Sequence, residues 1–169
     1  IGCLYPLCMG PTYGGLIDCH AHPRGLGETD ELDVAFIAEL VNHARCLGVV
    51  RMVTLGEVLY KESGYTEEEI RRLNDRNAEL TALHPDFFIP FCFLDPTLGS
   101  GFVSEEITRC YEVHNFRRLK LEICCNVAHA ATDAVFENAG LRGFPVLVHA
   151  ADTAIIGNRE HQSDPDDVR

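Results

Sequence analysis

Five short apolar runs alternate with four amphipathic stretches along the chain, and no hairpin signal such as Asn-Gly joins one run to the next. This pattern constrains the fold more than any other feature. Strands that are not joined by tight hairpins must run parallel, and parallel neighbours need a crossover, normally helical and right-handed. The apolar runs are Gly15 to His20, Val49 to Leu55, Phe87 to Leu94 (interrupted by Pro90), Phe116 to Ile123 and Phe144 to Ala150. The first helical stretch runs from about Glu31 to Leu47, where Leu32, Phe36, Ile37, Leu40, Val41 and Ala44 repeat at helical spacing and Gly48 ends the helix. Thr66-Glu67-Glu68-Glu69 matches a capping box and opens the second, which Pro85 stops. Ser104 is the expected cap of the third, ending near His114. The fourth spans Thr132 to Ala139 and ends at Gly140.

The expected class is therefore α/β, either an open doubly wound sheet or part of a (β/α)8 TIM barrel containing about its first five βα units. The 169 residues do not by themselves close eight strands. Residues 1–14 read as an irregular lead-in to a domain running from 15 to 169. The last nineteen residues are polar, and Ser163-Asp164-Pro165 reads as the start of another helix.

Composition narrows the partners. Lys and Arg number 14 against 26 Asp and Glu, a net charge of −12, which repels phosphate backbones and disfavours nucleic acid. No run reaches the ~20 apolar residues of a membrane helix. Of eight cysteines, Cys19, Cys46, Cys92, Cys110, Cys124 and Cys125 fall inside apolar segments, where Cys acts as a small hydrophobe. Cys3 and Cys8 are the pair that could bridge or bind metal. A reducing cytoplasm is the expected compartment. Ile1 in place of Met points to a natural start elsewhere.

Three motifs could carry chemistry. In Asp18-Cys19-His20-Ala21-His22-Pro23, alternation turns Asp18, His20 and His22 to one face, and Pro23 leaves both imidazoles at the carboxyl end of the strand. Two such imidazoles can hold one metal ion, zinc, manganese or iron. The alternative is two incidental histidines at a strand-to-loop turn. His149 ends the apolar run Pro145-Val146-Leu147-Val148 and is either a core histidine or a third ligand at the same mouth. In Arg118-Leu119-Lys120-Leu121-Glu122 the leucines share one face and the charges the other, which would line the interior. Lys120 could there meet a metal-bound or substrate carboxylate, be carbamylated, or simply pair with Glu122. Arg24 is a candidate for an anionic substrate group and Asp152 for substrate contact; the alternative for Arg24 is a solvated loop residue. The remaining histidines (His43, His84, His114 and His129 near helices, His161 in the polar tail) read as surface residues. Nucleophile elbow, phosphate loop and dinucleotide fingerprint are all missing from the sequence.

In this order the motifs resemble those of the amidohydrolase superfamily, in the amidohydrolase-related branch of metal-dependent hydrolases and decarboxylases. The carriers are Leu16 to Pro23, Leu119 to Glu122, and Pro145 to Thr153, and the likeness extends over nearly the whole chain from Leu16. The resemblance implies a distorted barrel with a divalent metal, zinc foremost, at the carboxyl ends of its strands. His20 and His22 would correspond to the first-strand ligands and His149 to the fifth-strand ligand. Lys120 sits where some members carry a carbamylated lysine, although many members of this branch use a single metal. Lys120 and Asp152 are the candidate catalytic residues, and Arg24 is the candidate substrate contact. The implied reaction is attack of metal-activated water on a C–N or C–O bond of a small substrate. The alternatives are a metal-dependent decarboxylase of the same fold or a non-catalytic metal-binding fragment. A TatD-type nuclease is disfavoured by the acidic charge. Members also carry a sixth-strand His and an eighth-strand Asp, neither of which has a counterpart here. Continuation for ~100 residues or more is the corresponding expectation from a typical barrel of ~250. Oligomeric state is left open.

Overall fold

The computed structural model describes residues 15–23, 31–56, 64–122, 124–151 and 163–168. Strands β1 (Leu16–Ala21), β2 (Val49–Thr54), β3 (Phe88–Pro90), β4 (Cys92–Leu94), β5 (Leu119–Leu121) and β6 (Val146–Val148) alternate with α1 (Val34–Cys46), α2 (Glu67–Leu83), α3 (Ser100–His114) and α4 (Asp133–Arg142). All strand pairs are parallel, in the orders β1-β2-β3 and β4-β5-β6. β3 and β4 are two halves of the expected third strand, broken at Phe91. The first half pairs with β2 and the second with β5, so five strand positions follow one another in chain order. This is the partial barrel, built as βα units.

The break has a local cause. Pro90 lacks an N–H, and the β2 ladder ends opposite it, at Thr54. Two asparagines of α2, three residues apart on one helical face, then replace the missing ladder. Asn77 Nδ2 donates to the carbonyls of Thr54 (3.1 Å) and Phe91 (3.0 Å). Asn74 donates to the Phe93 carbonyl (3.0 Å) and accepts from the Phe93 amide (2.8 Å). Asn74 also donates to Glu106 Oε1 (2.7 Å), a fully buried carboxylate of α3 that Arg109 clamps through Nε (2.7 Å) and Nη2 (2.8 Å). The network extends to His114, expected at the surface. It is only partly exposed and lies 2.7 Å from Asp75 Oδ1.

Helices cover the outer side. Ile37, Val41 and Ala44 of α1 and Leu80 of α2 pack on Met52, Phe87 and Phe88. Val103, Ile107 and Cys110 of α3 and Val135 and Ala139 of α4 pack on Cys92, Leu94, Leu119 and Leu121. Since side chains alternate along a strand, Lys120 and Glu122 face away from those helices. Val53, Leu55 and Phe91 form a separate inner cluster with Ile89 and Leu147.

Helix boundaries agree with the sequence where the cap is explicit. Both bonds of the Thr66–Glu69 capping box are present, Thr66 N to Glu69 Oε2 at 2.9 Å and Glu69 N to Thr66 Oγ1 at 3.2 Å. α1 begins later than expected, because Asp33 Oδ1 accepts the Phe36 amide (2.9 Å) and caps it. α3 begins five residues earlier than a Ser104 cap would allow. A 3-10 turn at Pro96–Leu98 leads through Gly99 (φ 98°) into Ser100, and Ser104 lies inside the helix, where its Oγ accepts from Asn138 (3.0 Å). α4 passes through Gly140 and stops at Gly143 (φ 66°), since only the latter takes the left-handed conformation that ends a helix. The expected last helix is a short 3-10 turn, Pro165–Val168.

Cys92, Cys110 and Cys124 are buried as expected, whereas Cys19 and Cys46 are exposed. On β1 no described element covers that part of the strand, and Leu16 and Ile17 are likewise exposed. The described cysteines are free thiols, and Cys3 and Cys8 lie outside the described residues. No helix among the described residues is long and apolar enough to cross a membrane.

Candidate metal centre

The carboxyl ends of β1, β5 and β6 bring three histidines and one carboxylate together. β1 carries a register irregularity between Asp18 and Ala21, and Asp18 Oδ1 accepts the His20 amide at 3.1 Å. Asp18 is thus engaged with the strand end. His22, just past β1, donates from Nδ1 to the Gly56 carbonyl (2.7 Å), which leaves Nε2 with a free lone pair. That Nε2 lies 3.3 Å from His20 Nε2. His149 follows β6, where its backbone amide donates to the Leu121 carbonyl (2.9 Å), and its Nδ1 lies 3.1 Å from Glu122 Oε1. Donor atoms of His20, Glu122 and His149 all fall within 4.8 Å of one another.

The donor set fits a divalent cation. Bonds of ~2.0–2.2 Å to one ion separate its ligand atoms by roughly 3–4 Å, and the two Nε2 atoms are 3.3 Å apart. Two bare imidazole nitrogens gain nothing from facing each other without a proton or a cation between them. Glu122 is 7% exposed, and its Oε2 has no hydrogen-bond partner among the described residues. That oxygen faces the Lys120 ammonium at 3.4 Å and His22 Nε2 at 3.6 Å, contacts longer than a charge-assisted hydrogen bond.

Electrostatics favour the neutral ligand form of His20. Partial burial, then the charge of Lys120, pull its pKa below the ordinary 6.5, outweighing the opposing pull of Glu122. Lys120 is fully buried, 3.4 Å from Glu122 Oε2. Burial lowers its pKa and Glu122 partly restores it. Cys124 and Cys125, beyond β5, are not in the group of converging donor atoms. Burial, with Asp95 nearby, raises both thiols, Cys125 to about 11.

The structure thus brings His20, His22, His149 and Lys120 to one mouth. Arg24 and Asp152 lie outside the described residues. Glu122 was read from sequence only as a partner for Lys120. Its signal was its position two residues after Lys120 on the same strand face, nearer the carboxyl end where the histidines stand.

No protein-family model matches the sequence, nor does any curated protein. Solved structures do match. 2,6-Dihydroxybenzoate decarboxylase from Rhizobium is 17% identical with a TM-score of 0.59, covering 83% of this chain and 51% of its own. 4-Oxalomesaconate hydratase from Rhodopseudomonas palustris is 15% identical with a TM-score of 0.61, covering 79% and 51%. Dihydroxybenzoic acid decarboxylase from Polaromonas sp. JS666, solved with manganese and the inhibitor 2-nitroresorcinol, is 16% identical with a TM-score of 0.59, covering 86% and 52%. The chain spans about half the length of these structures. It shares the fold of these structures, over a partial barrel of parallel strands.

Proposed function

We propose that the chain carries the metal-binding part of a lyase that decarboxylates a small carboxylated aromatic compound. The observation that carries this reading is the meeting of His20, His22 and His149 at the carboxyl ends of parallel strands, in a fold shared with decarboxylases. The hydrolase expected from sequence is the less favoured reaction, since these similar structures are two decarboxylases and a hydratase.

His20, His22 and His149 would hold a divalent ion. Imidazole with carboxylate suits manganese as well as zinc, and manganese is the ion in the Polaromonas structure. When bound, the ion supplies a Lewis acid that orients and polarises the substrate carboxylate. The chain's own residues do the rest. Gly56 fixes the His22 tautomer. Arg24 binds an anionic substrate group. Lys120 and Asp152 handle the proton that must reach the carbon losing CO2. The partner is a small molecule, without nucleic acid or membrane, and the compartment is a reducing cytoplasm in keeping with the free thiols.

The test is CO2 release from a panel of ortho-hydroxylated benzoates by the manganese-loaded full-length protein, run beside an ester and amide panel. Release of CO2 that is lost in His20→Ala supports the reading. Hydrolysis of an ester or amide without CO2 release overturns it in favour of the hydrolase.

A further inference from the structure

We propose that Asn74, a residue of α2 outside the mouth, is a positioning residue for it. Its side-chain amide sets where β4 stands and, through β4 and β5, where Lys120 and His149 stand. The inference rests on the metal reading above and deepens it by naming what holds His149 in place.

In a parallel sheet the amide and carbonyl of one residue face the same neighbouring strand. The Cys92 amide donates to the Arg118 carbonyl (2.8 Å), and β4 pairs with β5 on that side. The amide and carbonyl of Phe93, the next residue, face the other way, where the β2 ladder has already ended at Thr54. Asn74 takes both. Oδ1 accepts the Phe93 amide (2.8 Å) and Nδ2 donates to the Phe93 carbonyl (3.0 Å). One side-chain amide thus stands where a neighbouring strand would.

The orientation of that amide is itself fixed. Asn74 is buried, and Nδ2 also donates to Oε1 of the fully buried Glu106 (2.7 Å). A flipped amide would set Oδ1 against the carboxylate, acceptor against acceptor. Arg109, which clamps Glu106, reaches back to Asp75 on α2 through Nη1 (2.6 Å). Asn74 is therefore held by α2 and α3 together.

From Phe93 the register runs to the mouth. Phe93 stands opposite Lys120 and Leu94 opposite Leu121. Leu121 stands opposite Val148, and its carbonyl accepts the His149 amide (2.9 Å). A displacement of β4 along its axis carries Lys120 and His149 with it. Metal–ligand distances tolerate only ~0.2 Å, so loss of Asn74 should weaken binding of an ion it never touches.

Mn2+ affinity, followed by the free-ion EPR signal, tests this on wild type, Asn74→Ala, Glu106→Gln, Thr66→Ala and His20→Ala. Thermal melts and 15N–1H spectra of each metal-free protein report folding and the backbone amides of Lys120 and His149. Asn74→Ala should bind Mn2+ about tenfold more weakly than wild type and shift both amide resonances. Glu106→Gln, which keeps the size and loses the charge that orients the amide, should show the same changes to a smaller degree, and it decides the matter should Asn74→Ala not fold. Thr66→Ala, destabilised at the cap of the same helix, should leave affinity and both amides unchanged. Equal weakening in Thr66→Ala assigns the effect to stability and overturns the proposal. Wild-type affinity in folded Asn74→Ala, while His20→Ala binds no Mn2+, overturns the positioning role and leaves the metal reading standing. Wild type binding no Mn2+, Co2+ or Zn2+ overturns the metal reading, and the positioning of its ligand with it.

Discussion

Lys120 Nζ lies 3.4 Å from Glu122 Oε2 on the inner face of β5, and neither atom makes a hydrogen bond among the described residues. The pair is close enough to attract and poorly aligned for a bond. Deleting one member leaves the other as an uncompensated buried group, a loss of about 3 kcal/mol. Lys120→Met should therefore lower the melting temperature of the metal-free protein clearly. A divalent cation would replace the missing positive charge beside Glu122. Added Mn2+ should thus raise the melting temperature of Lys120→Met by more than it raises that of wild type. An equal rise in both would show that Glu122 and the ion do not interact.

His20 has a pKa below 6.5 because of partial burial first and the Lys120 charge second. The folded state therefore resists protonating this ring more than the unfolded chain does. Its contribution to stability is undiminished above 6.5 and is lost as pH falls from 6.5 through the lowered folded value. In the metal-free protein, the His20 imidazole should titrate by NMR below 6.5. In Lys120→Met the midpoint should move upward, since a repelling positive charge is gone. A midpoint that stays fixed would mean that Lys120 does not act on His20.

Asn77 Nδ2 joins the carbonyls of Thr54 and Phe91 where the β2 ladder ends. Asn77→Ala removes the donor to the Phe91 carbonyl, whereas the Thr54 carbonyl keeps the Phe91 amide (3.1 Å), so the cost should be roughly 1–3 kcal/mol. Chemical denaturation should show a lower midpoint. If the midpoint falls by less than the equivalent of about 1 kcal/mol, the asparagines do not serve as a substitute ladder.

Thr66 caps α2 through a reciprocal pair with Glu69 on an exposed turn. Thr66→Ala should cost about 1 kcal/mol, and Thr66→Ser much less. The two denaturation curves, compared side by side, separate loss of the hydroxyl from loss of the methyl group.

Much of the fold was legible because parallel strands leave a one-dimensional trace. Apolar runs such as Val146–Val148 and Leu119–Leu121 are short, and the helices between them repeat at a period close to 3.6 residues. His20, His22 and His149 were legible as site candidates because each closes such a run at its carboxyl end. Caps that depend on side-chain chemistry in neighbouring residues, Thr66 with Glu69, were equally plain. Gly99 and Gly143 were not, because a glycine's φ is set by what packs around it. Ser104 and Gly140 were the expected helix boundaries, and both lie inside their helices.

By itself, then, the sequence determined the parallel βα order, the inward charged face of β5 and the histidines at the strand ends, since these follow from local periodicity. The tertiary structure alone decided that Asn74 and Asn77 bridge the gap between β3 and β4, which Pro90 already marked in the sequence, and that Glu122 stands among the histidines without a hydrogen bond to one of its oxygens. Those facts depend on distances between residues tens of positions apart in the chain. Such distances are set by the register of the strands and the seating of α2 against them, and no local pattern of residues encodes either.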